Sequence, residues 1–536
     1  FGLRRLNLHV EIFRSPFNVE FVGTDQLQKG SYQENNGKNV NYDGDFSLTY
    51  GKLFADKHML NAVLGARMEQ ATTKRSSYQV RGFIDDEFSN PNFALGYPEG
   101  QRADYMQSKR RGASFFMNMG YSYDKRYLLD ATIRSDGSSV FGSERQFSTI
   151  WSLGLAWNAH NESFFKQFHW IDQLRLRATI GNPGNQNFDD YISMRVYRYN
   201  NDNRNPFGAS TIISNMGNSG LRWQTTLDRN LGLDFTTFKN RLRLNFDYFI
   251  KSTDPLLVLV SLPTSTGVNT VAKNMGAQVT HGFTIAGDYT LLRREQFNWR
   301  VNLNMRQLKA EYQNIGNQLS NFNEANKSRN LIRYYDGGSP SDLWAVRSLG
   351  IDPATGREIF LNKNDQQTFV HDYRDEVVVG NSDPDLEGIL GTSFYYKGFS
   401  ASVNLRYRWG GQSFMQTLFE KVENISARDV ALNQDKRALY DRWKQPGDQA
   451  KFKAISNTDQ TPISSRFVAD NNMLVGEAFS VGYETTTAGW LRSIRASSVT
   501  FRAYMNDIFH LSTITNERGI DYPFARSVSF SAGIRF

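Results

Sequence analysis

The last ten residues, Ser527 to Phe536, read SVSFSAGIRF, and every second side chain is apolar. Val528, Phe530, Ala532, Ile534 and Phe536 fall on one side of an extended chain. Ser527, Ser529, Ser531, Gly533 and Arg535 fall on the other. A period of two with one oily face and one small, polar face describes a strand that separates an apolar phase from water. An ordinary sandwich strand carries the same pattern, so the rest of the chain has to decide between the two.

Similar segments of roughly ten residues, about the length a tilted strand needs to cross a bilayer, recur from end to end. They fall at 3–13, 41–54, 59–70, 112–123, 126–135, 147–158, 174–181 and 223–235. The series continues at 241–251, 283–291, 297–306, 386–396, 399–409, 473–483, 496–505 and 527–536, roughly sixteen strands by this template. In 241–251, Leu242, Leu244, Phe246, Tyr248 and Ile250 alternate with Arg241, Arg243, Asn245, Asp247 and Lys251. Arg406 and Arg408 alternate in the same way with Leu405, Tyr407 and Trp409, which predicts charges facing a wet interior. Short turns at 55–57, 124–125, 236–240, 293–296 and 397–398 take turns with long loops at about 71–111, 252–280, 307–385 and 410–471. A soluble sandwich has no reason to sort its loops by length onto alternate ends, whereas a transmembrane antiparallel β-barrel does. Only closure satisfies every backbone donor and acceptor in hydrocarbon. The expected fold is therefore all-β, one outer-membrane barrel portion over 1–536, with Phe536 at the short-turn, periplasmic end.

Composition agrees. The chain has 536 residues, 39% hydrophobic, with 39 Phe, 25 Tyr and 9 Trp. Its mean hydropathy of −0.54 looks soluble, as barrels with polar lumens and long loops do. The longest apolar run, Leu256 to Leu262, falls far short of the ~18 residues that a membrane helix needs. The absence of cysteine removes disulfides, zinc–thiolate sites and cysteine nucleophiles. The charge of +8 is scattered singly, unlike the concentrated basic face of a nucleic-acid binder, so no nucleic-acid partner is expected. A well-mixed surface, lipid phosphates or an anionic solute would each account for the excess. Phe1–Gly2 opens without a basic n-region, so an exported protein would have lost its signal peptide or would begin upstream.

Several stretches resemble the SusC/RagA family of TonB-dependent outer-membrane transporters. Tyr121 to Phe141 contains Arg134, Asp136, Gly137, Ser138, Ser139 and Phe141, like that family's Arg-x-Asp-Gly-Ser-Ser-x-Phe block. Trp151 to Trp157 and Glu162-Ser163-Phe164 follow it. Leu174 to Gln186 resembles the family's basic strand leading into Gly184, Asn185 and Gln186, with Pro183 where Thr or Ser is usual. Asn230 to Asp254, Gly350 to Phe360, Tyr396 to Ser400 and Asn506 to Phe536 are similar to later blocks, the last shortened between Phe509 and Tyr522. A terminal aromatic such as Phe536 resembles the family of barrels recognised by the insertion machinery. The resemblance implies most of a 22-stranded barrel, with the plug, the TonB-interacting segment and the first strands outside this sequence. It implies import of oligosaccharide or peptide nutrients, a SusD-like lipoprotein lid and drive from the TonB-ExbB-ExbD system. Outer-membrane lipid or LPS would surround the wall, and transporter–lipoprotein pairs would be able to dimerise.

No catalytic signature is present: the seven histidines form no His-Glu-x-x-His, and no Gly-x-Ser-x-Gly occurs. Neither an enzyme nor a cofactor is expected. Gly350 to Arg357 has one residue too many and an Arg for a phosphate loop, and reads as a turn. Asp352, Asn362, Asn364 and Asp365 lack the central glycine and closing Glu of a calcium loop, so no metal site is expected. Substrate contacts are assigned to loop aromatics, Tyr334, Tyr335 and Trp344 in one loop and Tyr440 and Trp443 in another. The same rings serve equally to pack their loops. Met415, Leu418, Phe419 and Val422 recur at helical spacing and predict a helical turn. An outer-membrane scaffold for secretion or assembly is the alternative function.

Overall fold

Period-two alternation produces one continuous antiparallel wall. The computed structural model describes residues 1–98, 100–141, 146–185, 191–205, 208–316, 319–327, 329–426, 430, 434–514 and 526–536. The wall starts with β1 (Gly2–Arg14), β2 (Ser31–Phe54), β3 (His58–Arg81) and β4 (Asp104–Tyr123). Next come β5 (Tyr127–Ser138), β6 (Phe147–Asn158), β7 (Ile171–Asn182) and β8 (Gln224–Thr237). Then follow β9 (Leu242–Thr253), β10 (Ala277–Arg294), β11 (Phe297–Gln313) and β12 (Leu386–Tyr396). The last four are β13 (Phe399–Trp409), β14 (Met473–Thr485), β15 (Ser498–Ser512) and β16 (Val528–Arg535). Each pairs antiparallel with the next. A two-residue bridge, Gly184–Asn185, joins the edge of β8 and is the seventeenth member of the sheet. Among the described residues, the far edges of β1 and β16 are unpaired, as is the β1-side edge of β2 below Asp43.

Every expected strand is present, and β6, β12 and β13 keep their expected limits. Several others run on beyond them. The expected 71–111 loop is shortened to 82–103, because β3 and β4 continue as a ladder whose two faces are both polar. Residues 252–253, 277–280 and 307–313 likewise prolong β9, β10 and β11. Once a strand leaves hydrocarbon nothing demands alternation, so pattern alone cannot follow it. The 183–223 connection is a further long loop, interrupted by the paired segments Val196–Asn205 and Gly208–Asn215. At the opposite end the turns are tight, with positive φ at Ala55 and Asp56, at Asp124 and Lys125, and at Lys397 and Gly398. A Cβ on Gly398 would lie 2.3 Å from the Glu484 carbonyl oxygen, so only glycine fits that turn.

Register fixes which face is which. Phe46, Leu48 and Tyr50 stand opposite Ala66, Leu64 and Ala62, and these in turn opposite Phe115, Met117 and Met119. The same outward parity collects Trp151, Leu153 and Leu155, then Leu231 and Leu233, and ends in Phe530, Ala532 and Ile534. Many of these side chains stand open: Phe530 is 80% exposed, Phe46 68% and Leu231 62%. A soluble monomer rarely exposes an apolar patch beyond a few hundred Å², and this belt runs across the whole sheet. From the row of Phe54, His58 and Tyr123 to that of Gly44, Met68 and Ala113 there are ten residues. That is about 33 Å of strand and, at a tilt near 40°, about 25 Å of height, the thickness of a barrel's apolar band. No helix of the described residues is long and apolar enough to cross a membrane, and the crossing is made by strands. Buried hydrophobic clusters lie in the loops and at the strand ends.

Leu64→Arg, in the middle of the belt, is expected to cost about 2–4 kcal/mol of unfolding free energy. Thr49→Arg, one position across on the inward face, is expected to cost under about 1 kcal/mol. Equilibrium unfolding in liposomes measures both; equal losses would contradict the assignment of the two faces.

Candidate functional site

Inward-facing charges are paired across neighbouring strands. The Arg177 guanidinium on β7 lies 2.9 Å from Asp234 on β8 and 3.1 Å from Asp247 on β9. Lys251 approaches Asp228 at 3.4 Å. Arg177, Asp228, Asp247 and Lys251 line a depression of about 500 Å³ in the inner wall with Thr132, Thr179 and Asn230. Farther round, Arg306 pairs with Glu387 and Arg406 with Glu477. The alternation of charges in 241–251 foretold the inward face, but which strands would be neighbours, and so which charges would meet, required the register.

The signature residues form a structural cluster at the long-loop end. Arg134 Nε donates to Asp136 at 2.5 Å and Nη2 to the Ser114 hydroxyl at 3.0 Å. The Ser139 hydroxyl accepts the Arg111 amide at 3.0 Å, and the Ser138 hydroxyl accepts the Val140 amide. Phe141 stacks on Trp223 at 4.7 Å in a cluster with Val140. Gly184 passes beside that Trp223 ring, and Asn185 pairs with Gln224 in the ladder. A Cβ on Gly137 would strike the Phe147 ring. Gln186 lies outside the described residues. At the other end Glu162 accepts from Tyr127 (2.8 Å), Trp157 (3.2 Å) and Arg126 (3.3 Å), which locks the β6–β7 turn. Phe536 follows the last paired residue and is 83% exposed.

The 314–385 and 410–472 loops fold together. Asp342–Ile351 pairs with Glu358–Leu361 and with Glu376–Asn381. Residues 352–357 form the expected turn, closed by Asp352 N–H to the Arg357 carbonyl at 2.8 Å. Asn362 spends its side-chain oxygen on the Asn364 and Gln366 amides. In the second loop the expected helical turn is a single wide turn over Leu418–Glu423, with Asn424 N–H bonded to Phe419. It buries Phe419 and Val422 against Phe452 and Phe467. Arg466 joins the loops, 2.9 Å from Glu358 and 2.7 Å from Glu423. The Arg333–Glu376 pair, at 2.7 Å, is wholly buried. Burial holds the Arg442 and Lys453 pKa values below their ordinary range.

The five loop aromatics are split by this packing. Tyr334 lies between Tyr312 and Phe322, and burial raises its pKa. Trp443 donates to the Pro353 carbonyl at 2.9 Å and covers Gly356, whose φ is +70° and where a Cβ would lie 2.5 Å from the Trp443 ring. Tyr335 and Trp344 form a ring pair 5.0 Å apart, with Tyr335 partly open to solvent. Tyr440 is 75% exposed. Pattern reading did not find the cleft of about 520 Å³ between the loops, lined by Arg329, Tyr373, Gln416, Glu420, Gln460 and Thr461. Its residues come from segments far apart in sequence and carry no shared motif.

His371 packs between Phe360 and Tyr373, and its Nε2 lies 3.3 Å from the Ile463 carbonyl oxygen, bridging the two loops. Burial lowers its pKa from 6.5, outweighing Glu358, Asp372 and Asp375, which act the other way. The unfolded loop therefore binds the proton more readily, and its stability falls as pH drops below 6.5. Amide protection factors around 371 and 463, corrected for the intrinsic pH dependence of exchange, are expected to be lower at pH 5.5 than at pH 7.5, and His371→Phe to remove the difference. Arg466→Ala strands two buried carboxylates and is expected to cost the loop unit about 3–5 kcal/mol, read by proteolysis of the loops with the wall intact.

Comparison with known proteins places this wall. Residues 5–425 match the family model described as TonB dependent receptor-like, beta-barrel. A TonB-dependent receptor of Formosa agariphila is 25% identical over 494 residues, covering 81% of this chain and 46% of that protein. TonB-dependent receptor SusC of Bacteroides thetaiotaomicron is 26% identical over 339 residues, covering 60% of this chain and 33% of SusC. The chain thus spans less than half the length of either relative. The RagAB peptide transporter structure superposes with a TM-score of 0.81 at 18% identity, covering 96% of this chain and 56% of that one. With a family model spanning most of its length, the chain belongs to the TonB-dependent receptor-like β-barrel family and is an outer-membrane protein of the SusC/RagA type.

Proposed function

We propose that this chain forms the greater part of the barrel of a TonB-dependent importer for oligosaccharide or peptide nutrients. The observation that carries the reading is a membrane wall with paired charges on its inward face and a folded aromatic unit at its long-loop end. On this reading six further strands complete 22 around a plug supplied by sequence outside these residues, and that plug couples to TonB-ExbB-ExbD. The unpaired edges of β1, lower β2 and β16 are where such strands would join. A SusD-like lipoprotein delivers substrate from outside, and the likeness to the RagAB fold and to SusC supports both the lid and the substrate class. Tyr335, Trp344 and Tyr440 are the ring faces assigned to substrate, while Tyr334 packs on Tyr312 and Phe322 and Trp443 on Gly356.

Deleting the gene is expected to abolish growth on the cognate nutrient, and the tagged protein to copurify with a surface lipoprotein. Retained uptake with lost secretion would favour an assembly scaffold instead. Tyr440→Ala and Tyr335→Ala are expected to raise the KM of uptake about two- to tenfold, the worth of one ring contact, at unchanged protein level. Unaltered KM in both would remove these rings from the substrate path.

A further inference from the structure

The outward face of β1–β4 changes character just where it leaves the apolar belt. The β1–β2, β2–β3 and β3–β4 ladders contain no register shift, so the parity set by Leu48, Leu64 and Met117 continues to the long-loop end. Beyond the last belt row, Arg111 lies opposite Gln70, Lys109 opposite Thr72, Arg5 opposite Val40, and Lys38 opposite Lys74. Five cations thus share one face four strands wide, about 15 Å. They stand roughly 5–15 Å above the belt at a strand tilt near 40°, the depth of the headgroup layer.

Among the described residues, none of the five has an anionic partner. Arg5 donates to Asn7 at 3.3 Å and Arg111 to Gln70 at 3.1 Å, both neutral. The acids on this face, Glu11 and Glu34, lie farther out and face His9, Tyr78 and Asn36. On the inward side of the same strands Arg67 lies 3.7 Å from Asp45 and 3.4 Å from Glu69. Lys38 directly across from Lys74 is a like-charge pair that a ladder disfavours on its own. Such a face calls for an anion from outside the chain, and its continuity with the belt says which kind.

We propose that Arg5, Lys38, Lys74, Lys109 and Arg111 bind the phosphate groups of an outer-leaflet lipid whose acyl chains lie against Phe46, Leu48 and Met117 below. Lys38 and Lys74 share one phosphate, which converts their mutual repulsion into a two-point clamp, and the arginines flank it with forked donors. The test uses the full-length protein in detergent and native mass spectrometry. The probes are bisphosphorylated lipid A, the same lipid dephosphorylated, and inorganic phosphate. Each lysine beside an anionic lipid surface is worth about fivefold in affinity. Lys38→Gln/Lys74→Gln/Lys109→Gln is therefore expected to lower retention of bisphosphorylated lipid A at least about tenfold. Arg67→Gln is expected to bind as the parent does, and millimolar inorganic phosphate to leave the lipid in place. Single Lys38→Gln is expected to lose about fivefold with no fall in thermal stability, which separates lost binding from a lost fold. Unchanged retention in the triple variant, equal retention of the dephosphorylated lipid, or complete displacement by inorganic phosphate would each overturn the assignment.

Discussion

A backbone amide left unpaired in hydrocarbon costs several kcal/mol, and a strand brings one for every residue. That demand, more than any side-chain contact, shapes the wall. It requires each strand of the belt to find its neighbour along the full height, and the fourteen successive antiparallel ladders from β2 to β16 supply it within this wall. Because the ladder does the holding, the belt's side chains are free to face lipid, and no core is needed between two layers. The buried hydrophobic clusters consequently sit in loops and at strand ends.

The same separation of phases orders the charges. Inside the wall, carboxylates and guanidinium groups meet across strands, as Arg177 does with Asp234 and Asp247. Within the loops, where water is excluded, pairing becomes stricter: Arg333 is wholly buried, and both Oε atoms of Glu376 receive its donors. Arg466 answers two buried carboxylates whose remaining capacity is met by Ser464 and Thr461. Stranding any member of such a group is far costlier than losing an exposed pair.

What the sequence made legible follows from which phase each residue meets. Between oil and water the period of two is compulsory, so the fifteen strands that cross the belt, β2 to β16, can be read, some of them to the residue, as with Leu386–Tyr396 and Phe399–Trp409. Where both faces meet water the signal disappears, so the outer halves of β3 and β4 read as loop and that of β2 is assigned to no strand, although their ladders are unbroken. The loop aromatics were visible as residues but not as roles: Trp443 covers Gly356 and Tyr334 is wedged beside Tyr312, whereas Tyr440 stands free. Nothing in local pattern distinguishes these cases, because Trp443 and Tyr334 meet Gly356 and Tyr312, each more than twenty residues away in the chain. The family blocks were legible by order, yet their common purpose is spatial, since Phe141 and Trp223 meet only after two strands of the wall, β6 and β7, have intervened.

The joining of the two longest loops bears on how a mouth of this kind can work. They flank the tight β12–β13 hairpin and so rise from adjacent strands. The 410–472 loop closes the Phe419–Val422–Phe452–Phe467 cluster from its own residues, and the two loops are joined by Arg466 with Glu358, by the Ser464 hydroxyl donating to Glu358 at 2.6 Å, and by the Ser348 amide donating to Ser465 at 2.9 Å. A unit tied at so many points moves as one body or not at all. Its cleft is consequently preformed, and a ligand entering there does not bear the cost of ordering two long loops, which for free segments would consume several kcal/mol of binding energy. Adaptability has to come from elsewhere on the rim, and rigidity of this sector is what allows a few exposed rings to define a specificity.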